Sequence, residues 1–178
     1  MTSDEHSLLA PGTLEAVATR VGKSLQGDQD GRGLRVGVAA ALFNGGITSR
    51  LLDGVLDGLH GAGVDASDVT LAWAPGAFEL PLVASALARS GRIDAVICLG
   101  AVIRGDTGHY DFVAGQCAAG IARVALDTGL PVVFGVLTTD TVDQALERSE
   151  PGDANKGREA ALTAVEMCRL LRSSPLLG

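Results

Sequence analysis

From Leu34 onward, apolar and polar positions follow two alternating rhythms. "LRVGVAAALF" (34–43) is an unbroken apolar run of strand length, as a strand covered on both faces would be. Over 47–59, Leu52, Val55, Leu56 and Leu59 recur at i, i+3, i+4 and i+7, which predicts an amphipathic helix. "VTLAWA" (69–74) predicts a second strand, and "FELPLVASALARSG" (78–91) a helix closing on glycine. "DAVICLGAVI" (94–103) is the strongest buried strand. The helix predicted over 110–127 sets Val113, Cys117, Gly120, Ile121 and Val124 on one face. "LPVVFGVLT" (130–138) predicts a fourth strand, and Thr141 and Gln144 have capping-box spacing at the start of a helix over 141–149. A last helix, 156–172, aligns Ala161, Ala164, Val165, Cys168 and Leu171.

Before residue 34 the rhythm is absent. "TLEAVATRVGKSLQ" (13–26) has the makings of a short helix, and "GDQDGRG" (27–33) reads as a flexible joint. The chain therefore divides into a partly flexible N-terminal arm, 1–33, and a domain, 34–178. Strands alternating with helices imply an α/β fold with a parallel sheet and helices on both sides. Ligands of such sheets bind beyond the carboxyl ends of the strands. Four segments are expected on that rim: "FNGG", "PGAFE", "RGDTGHYD" and "TTD".

Composition narrows the picture. The chain is 47% hydrophobic but only 3% aromatic, so its core must be built from Ala, Val, Leu and Ile. A net charge of −7 opposes nonspecific nucleic-acid binding, which needs a basic face. An anionic substrate would need a local positive site against that field. The three cysteines, Cys98, Cys117 and Cys168, each sit in an apolar stretch and read as small buried hydrophobes of a reducing compartment. The N-terminus lacks the positive charge of a secretory signal, and no 18-residue apolar run occurs. A soluble cytoplasmic protein without a membrane partner is expected.

The rim carries single residues rather than a familiar device. No G-x-x-x-x-G-K-[ST], G-x-G-x-x-G or G-x-S-x-G occurs, and no histidine pair has metal-ligand spacing. His109, one of three histidines, falls where a helix begins after a buried strand and can move protons near neutral pH. The backbone of Asp106 and Thr107, with the Thr107 hydroxyl, could receive a phosphate there. Arg148 ends one helix, and Lys156, one of two lysines, begins another; both could reach an anion. Each has a plainer reading. His109 could be an ordinary polar residue of a first turn, and Arg148 could complement its own helix dipole. Lys156 and Arg158 could be solvated surface, Phe43 core, and Glu79 a first-turn acid. Taken alone, these residues reach an α/β protein with a polar, anion-binding rim.

A resemblance goes further. "GAVIRGDTGHYDFV", "PVVFGVLTTDTVDQALERS" and "NKGREAALTAVEM" are similar to the lumazine synthase family of riboflavin biosynthesis. "FNGGITSRLLDG" and "PGAFELP" precede them in the family's order, so the resemblance spans about residues 34–172. It implies a three-layer, flavodoxin-like sandwich on a four-stranded parallel sheet, with the N-terminal arm joining a neighbouring subunit. The implied activity is that of a transferase. It condenses 5-amino-6-(D-ribitylamino)uracil with 3,4-dihydroxy-2-butanone 4-phosphate, giving 6,7-dimethyl-8-ribityllumazine with loss of phosphate and water. No metal or organic cofactor is implied. By the same resemblance Phe43 stacks on the pyrimidine, with Asn44 beside it. Ala77, Phe78 and Glu79 line the ribityl pocket, and Val102 and Ile103 hold the ring edge. His109 transfers protons, while Asp106, Thr107, Arg148 and Lys156 cradle phosphate. Glu159 would partner His109 or Arg148, and Phe134 would reach the neighbouring subunit's heterocycle. Arg104 reads as structural or interface pairing. Homopentamers with active sites at subunit interfaces follow, in some members closed by twelve pentamers into an icosahedral shell, with riboflavin synthase as a further partner.

Two departures stand out. Gly108 precedes the histidine where the family more often has Thr or Pro, which loosens that turn. "SEPGDANKG" lacks the basic residue common in shell-forming members, so pentamer and shell both stay open. The rival reading is a relative that binds flavin or lumazine, takes another substrate, or serves as a structural shell. A flavodoxin-like electron carrier is opposed by the missing phosphate loop and scarce aromatics.

Overall fold

In a computed structural model, which describes residues 9–10, 12–173 and 175, four parallel strands form one sheet in the order β2-β1-β3-β4. They are β1 (Val36–Ala41), β2 (Val69–Ala74), β3 (Ala95–Ile103) and β4 (Val132–Thr139). The helices are α1 (Thr13–Ala18), α2 (Gly45–Gly61), α3 (Leu80–Arg89), α4 (His109–Thr128), α5 (Val142–Glu147) and α6 (Lys156–Arg172). Every strand and helix expected from Leu34 onward is present, with ends moved by a few residues.

The continuous apolar strands are explained by two cores. Side chains alternate across a strand, so Val36, Val38 and Ala40 face α2 and α6, while Ala39 and Ala41 face α3 and α4. On β3, Ile97 and Leu99 enter the first core and Val96 and Cys98 the second. Both faces of β1 and β3 are therefore buried, and a polar residue has no place there. Helix α6 lies close on α2 because Gly157 has no side chain: a Cβ there would stand 1.9 Å from the Leu51 carbonyl oxygen.

Two local expectations change. Helix α1 ends at Ala18, not near residue 26, and none of its residues is buried. Without tertiary packing to reward it, so short a helix has nothing to extend it. The 27–33 segment, read as a joint, is seated on α6. A Cβ on Gly27 would lie 1.9 Å from the Glu166 carbonyl oxygen. Arg169 donates to the Asp30 carbonyl, and at 2.8 Å to that of Arg32. Residues 1–8 of the arm lie outside the described residues. Among the described residues, no helix is long and apolar enough to cross a membrane.

Candidate active site

The site starts where β1 ends. Leu42 and Phe43 prolong the ladder, donating to the carbonyls of Ala74 and Pro75 at 2.8 and 3.1 Å. Asn44 then turns the chain at φ 56° and ψ 37°, the one non-glycine residue with positive φ among those described. That conformation is unfavourable for an L-residue, and Asn tolerates it best. Its side-chain amide donates to the Ala101 carbonyl at 2.8 Å, tying the ends of β1 and β3 together. The turn throws Phe43 outward, 71% exposed, so the plain reading of this residue as core does not hold.

The ends of β2 and β3 supply the remaining walls. Beyond β2, a 3-10 turn, Ala77–Glu79, buries Ala77 and presents Phe78. The Glu79 carboxylate folds back over Gly76, where a Cβ would meet its Oε2 at 3.2 Å. Val102 and Ile103 end β3, and a loop, 104–108, leads into α4 at His109. Within that loop the Thr107 hydroxyl accepts from the His109 N–H at 3.4 Å. These elements enclose a cleft of about 730 Å³ over the ends of β2, β1 and β3, lined by Phe43, Glu79, Thr107 and His109 among others. It covers the place between β1 and β3 where the strand order reverses, the usual ligand crevice of an open α/β sheet. Asp106 is exposed and does not line it.

A second cleft, of about 430 Å³, runs along the edge strand β4 and is lined by Phe134, Arg148, Lys156 and Glu159. Arg148 caps α5, its Nη1 donating to the Gln144 carbonyl at 3.0 Å, with the Glu147 carboxylate 3.6 Å away. Glu159 forms its ion pair with Lys156, where the resemblance pairs it with His109 or Arg148. The expected phosphate cradle is thus divided within one protomer: Thr107 belongs to the first cleft, Arg148 and Lys156 to the second. The division is also chemical. Neither arginine nor lysine lines the first cleft, and no imidazole lines the second.

All four phenylalanines stand on the surface, from 40% exposed at Phe134 to 71% at Phe43 and Phe112. Three of them, with Tyr110, border the first cleft. Phe112 is absent from the sequence reading, although its i+3 spacing from His109 on a helix was the available signal. The cysteines are buried, and burial pushes the thiols of Cys117 and Cys168 up to about 11 and that of Cys98 higher still. They remain protonated at neutral pH and supply no nucleophile. Among the described residues, no group of three or more His, Cys, Asp or Glu is placed to hold a metal ion. The family model described as 6,7-dimethyl-8-ribityllumazine synthase matches residues 33–172.

Proposed function

The chain belongs to the 6,7-dimethyl-8-ribityllumazine synthase family, enzymes of riboflavin biosynthesis, and on that premise we propose that it forms the lumazine itself. The substrates are 5-amino-6-(D-ribitylamino)uracil and 3,4-dihydroxy-2-butanone 4-phosphate; phosphate and water leave. The observation that carries this reading is the pairing of two incomplete clefts. One offers an aromatic plate and an imidazole without a cation; the other offers a guanidinium and an ammonium without an imidazole. A flat heterocycle reacting with a phosphorylated ketone needs both. The two meet when the β4 edge of one protomer closes the first cleft of its neighbour.

In that arrangement Phe43 stacks on the pyrimidine. The Glu79 carboxylate accepts from ribityl hydroxyls, and the backbone at Val102 and Ile103 holds the ring edge. His109 takes and returns protons as the amine attacks the ketone, the Schiff base forms and the second ring closes. The neighbour's Arg148 binds the phosphate through its planar fork and stabilises the departing anion. Lys156 adds charge, and Thr107 completes the cradle from the first cleft, while Asp106, expected in the same role, lies outside it. Phe134 covers the far side of the heterocycle. Self-association, which we read as a homopentamer, is supported by the outward face of α4. There Phe112, Ala118, Ala119, Ala122 and Leu126 are exposed, with Leu126 at 85%. An apolar helix face of this extent marks an interface.

Mixing the two substrates with the protein should produce lumazine absorbance and fluorescence together with equimolar phosphate, and sedimentation should show a closed oligomer. Tight lumazine or flavin binding without turnover would favour the non-catalytic relative. Failure of both turnover and binding would overturn the reading.

A further inference from the structure

Arg104 leaves β3 where the sheet gives way to the loop before His109. Its N–H donates to the Thr139 carbonyl at 2.9 Å, the last rung toward β4. Its side chain then reaches three groups. Nε donates to Asp140 Oδ1 at 2.9 Å, Nη1 to Asp111 Oδ1 at 3.3 Å, and Cζ lies 4.0 Å from the centre of the Tyr110 ring. Asp140 is itself fastened, its N–H donating to Gln144 Oε1 at 2.9 Å. One guanidinium therefore joins the first turn of α4 to the turn that opens α5.

Packing holds this turn from one side, through Tyr110 and Val113 against the second core, but the segment leading into His109 is weakly held. The Thr107 contact is long, at 3.4 Å, and the N-cap of α4, Gly108, provides no side-chain hydrogen bond. Around Gly105 and Gly108 no heavy atom would come within 4 Å of a Cβ, so neither is confined by packing. An imidazole that must serve successive proton transfers cannot depend on such a loop, because small displacements of a reacting group are costly in rate.

We propose that Arg104 is a positioning residue, whose fork, gripped by Asp140 and Asp111 and laid on Tyr110, orients the first turn of α4 and so places His109 over the cleft. It does not line the cleft itself, and the proposal rests on the reading of His109 as the proton-transfer group. Planarity is essential to the role. A lysine can hold one of the two carboxylates, but it cannot span both while lying flat on a ring.

The test uses the full assembled protein as Arg104→Gln and Arg104→Lys. It measures turnover, both Michaelis constants and backbone hydrogen exchange across 104–116. In Arg104→Gln, turnover is expected to fall about tenfold while the Michaelis constant for the pyrimidine stays within about twofold. That for the phosphorylated substrate, which Thr107 of the same loop helps to hold, should rise by no more than about fivefold. Exchange should quicken over 105–113 alone, and Arg104→Lys should recover only part of the loss. Unchanged exchange over 105–113 would overturn the proposal, as would wild-type turnover in Arg104→Gln. Should that variant fail to assemble, Asp140→Asn removes one arm of the clamp and is judged by the same two outcomes. If the wild-type protein forms no lumazine, the condensation reading falls, while the exchange comparison still decides the clamp.

Discussion

The cleft at the strand ends and the cleft along β4 are built by different means. The first is a product of topology: the strand order reverses between β1 and β3, and three strand ends with their following turns converge there. The second lies on an edge strand with no neighbouring strand on its outer side among the described residues. A crevice can be complete in one chain, whereas a cleft on a sheet edge is open to a wall from another chain. Under the proposed function, the heterocycle and the proton chemistry fall to groups of one folded protomer, whereas the cations for the phosphate lie on an edge that only assembly would bring to them. Each half can be tested by damaging it alone.

The largest loss is expected in the first cleft. His109→Ala should lower turnover by roughly tenfold to a few hundredfold, the scale of one proton-transfer group. Binding of the pyrimidine, assigned by the proposed function to Phe43 and Glu79, should change little. Steady-state kinetics with each substrate varied in turn checks this, and unchanged turnover would remove His109 from the chemistry.

Damage to the second cleft should show in a different constant. Arg148→Ala removes charge-assisted hydrogen bonds worth about 1.5–3 kcal/mol, so the Michaelis constant for the phosphorylated substrate should rise about ten- to a hundredfold. The constant for the pyrimidine should stay where it was. Mixing then sharpens the contrast. If His109 and Arg148 come from different subunits, subunits of the two variants reassembled in equal amounts will form some intact sites. About a quarter of the sites, and of the wild-type rate, should return in a randomly mixed ring. A mixture as slow as its parents would mean that both residues serve a site within one protomer.

Legibility in the sequence followed the same divide. The strands and helices after Leu34 were readable because each had to bury a periodic face: α6 begins and ends where the spacing puts it, at 156 and 172. The capping pair at Thr141 was readable as well, although its second arm is shifted. The Thr141 hydroxyl accepts from the Gln144 N–H at 3.2 Å, but Gln144 Oε1 accepts from Asp140 instead of Thr141. Roles for Phe43, His109 and Arg148 came from the resemblance; residue chemistry alone stopped at an anion-binding rim. What no linear pattern encodes is which strand lies at the edge. The separation of Arg148 from His109 follows from the position of β4 in the sheet order, and one-dimensional spacing carries no such information. Residue chemistry alone also leaves Phe43 readable as core, since a strand-end phenylalanine reads so until Asn44 is seen to turn the chain; the resemblance is what places it at the ligand.

The smallest expected effect concerns the loop that enters α4 at the rim of the first cleft. Gly108 sits at φ −65° and ψ 2°, a conformation open to any residue, and a Cβ there would meet no heavy atom within 4 Å. Its glycine character is therefore not required by the backbone, and its chief consequence is freedom in the loop that presents Thr107. Gly108→Ala removes that freedom without adding a contact, a change worth about 0.4–1 kcal/mol when the native conformation is compatible. If the gain appears as a better-ordered phosphate cradle, the Michaelis constant for the phosphorylated substrate should fall about two- to fivefold. The constant for the pyrimidine should not move, because Phe43 and Glu79 are carried by other strand ends. Equal shifts in both constants would mean that the loop governs the whole crevice, and the division between ring binding and phosphate binding would have to be redrawn.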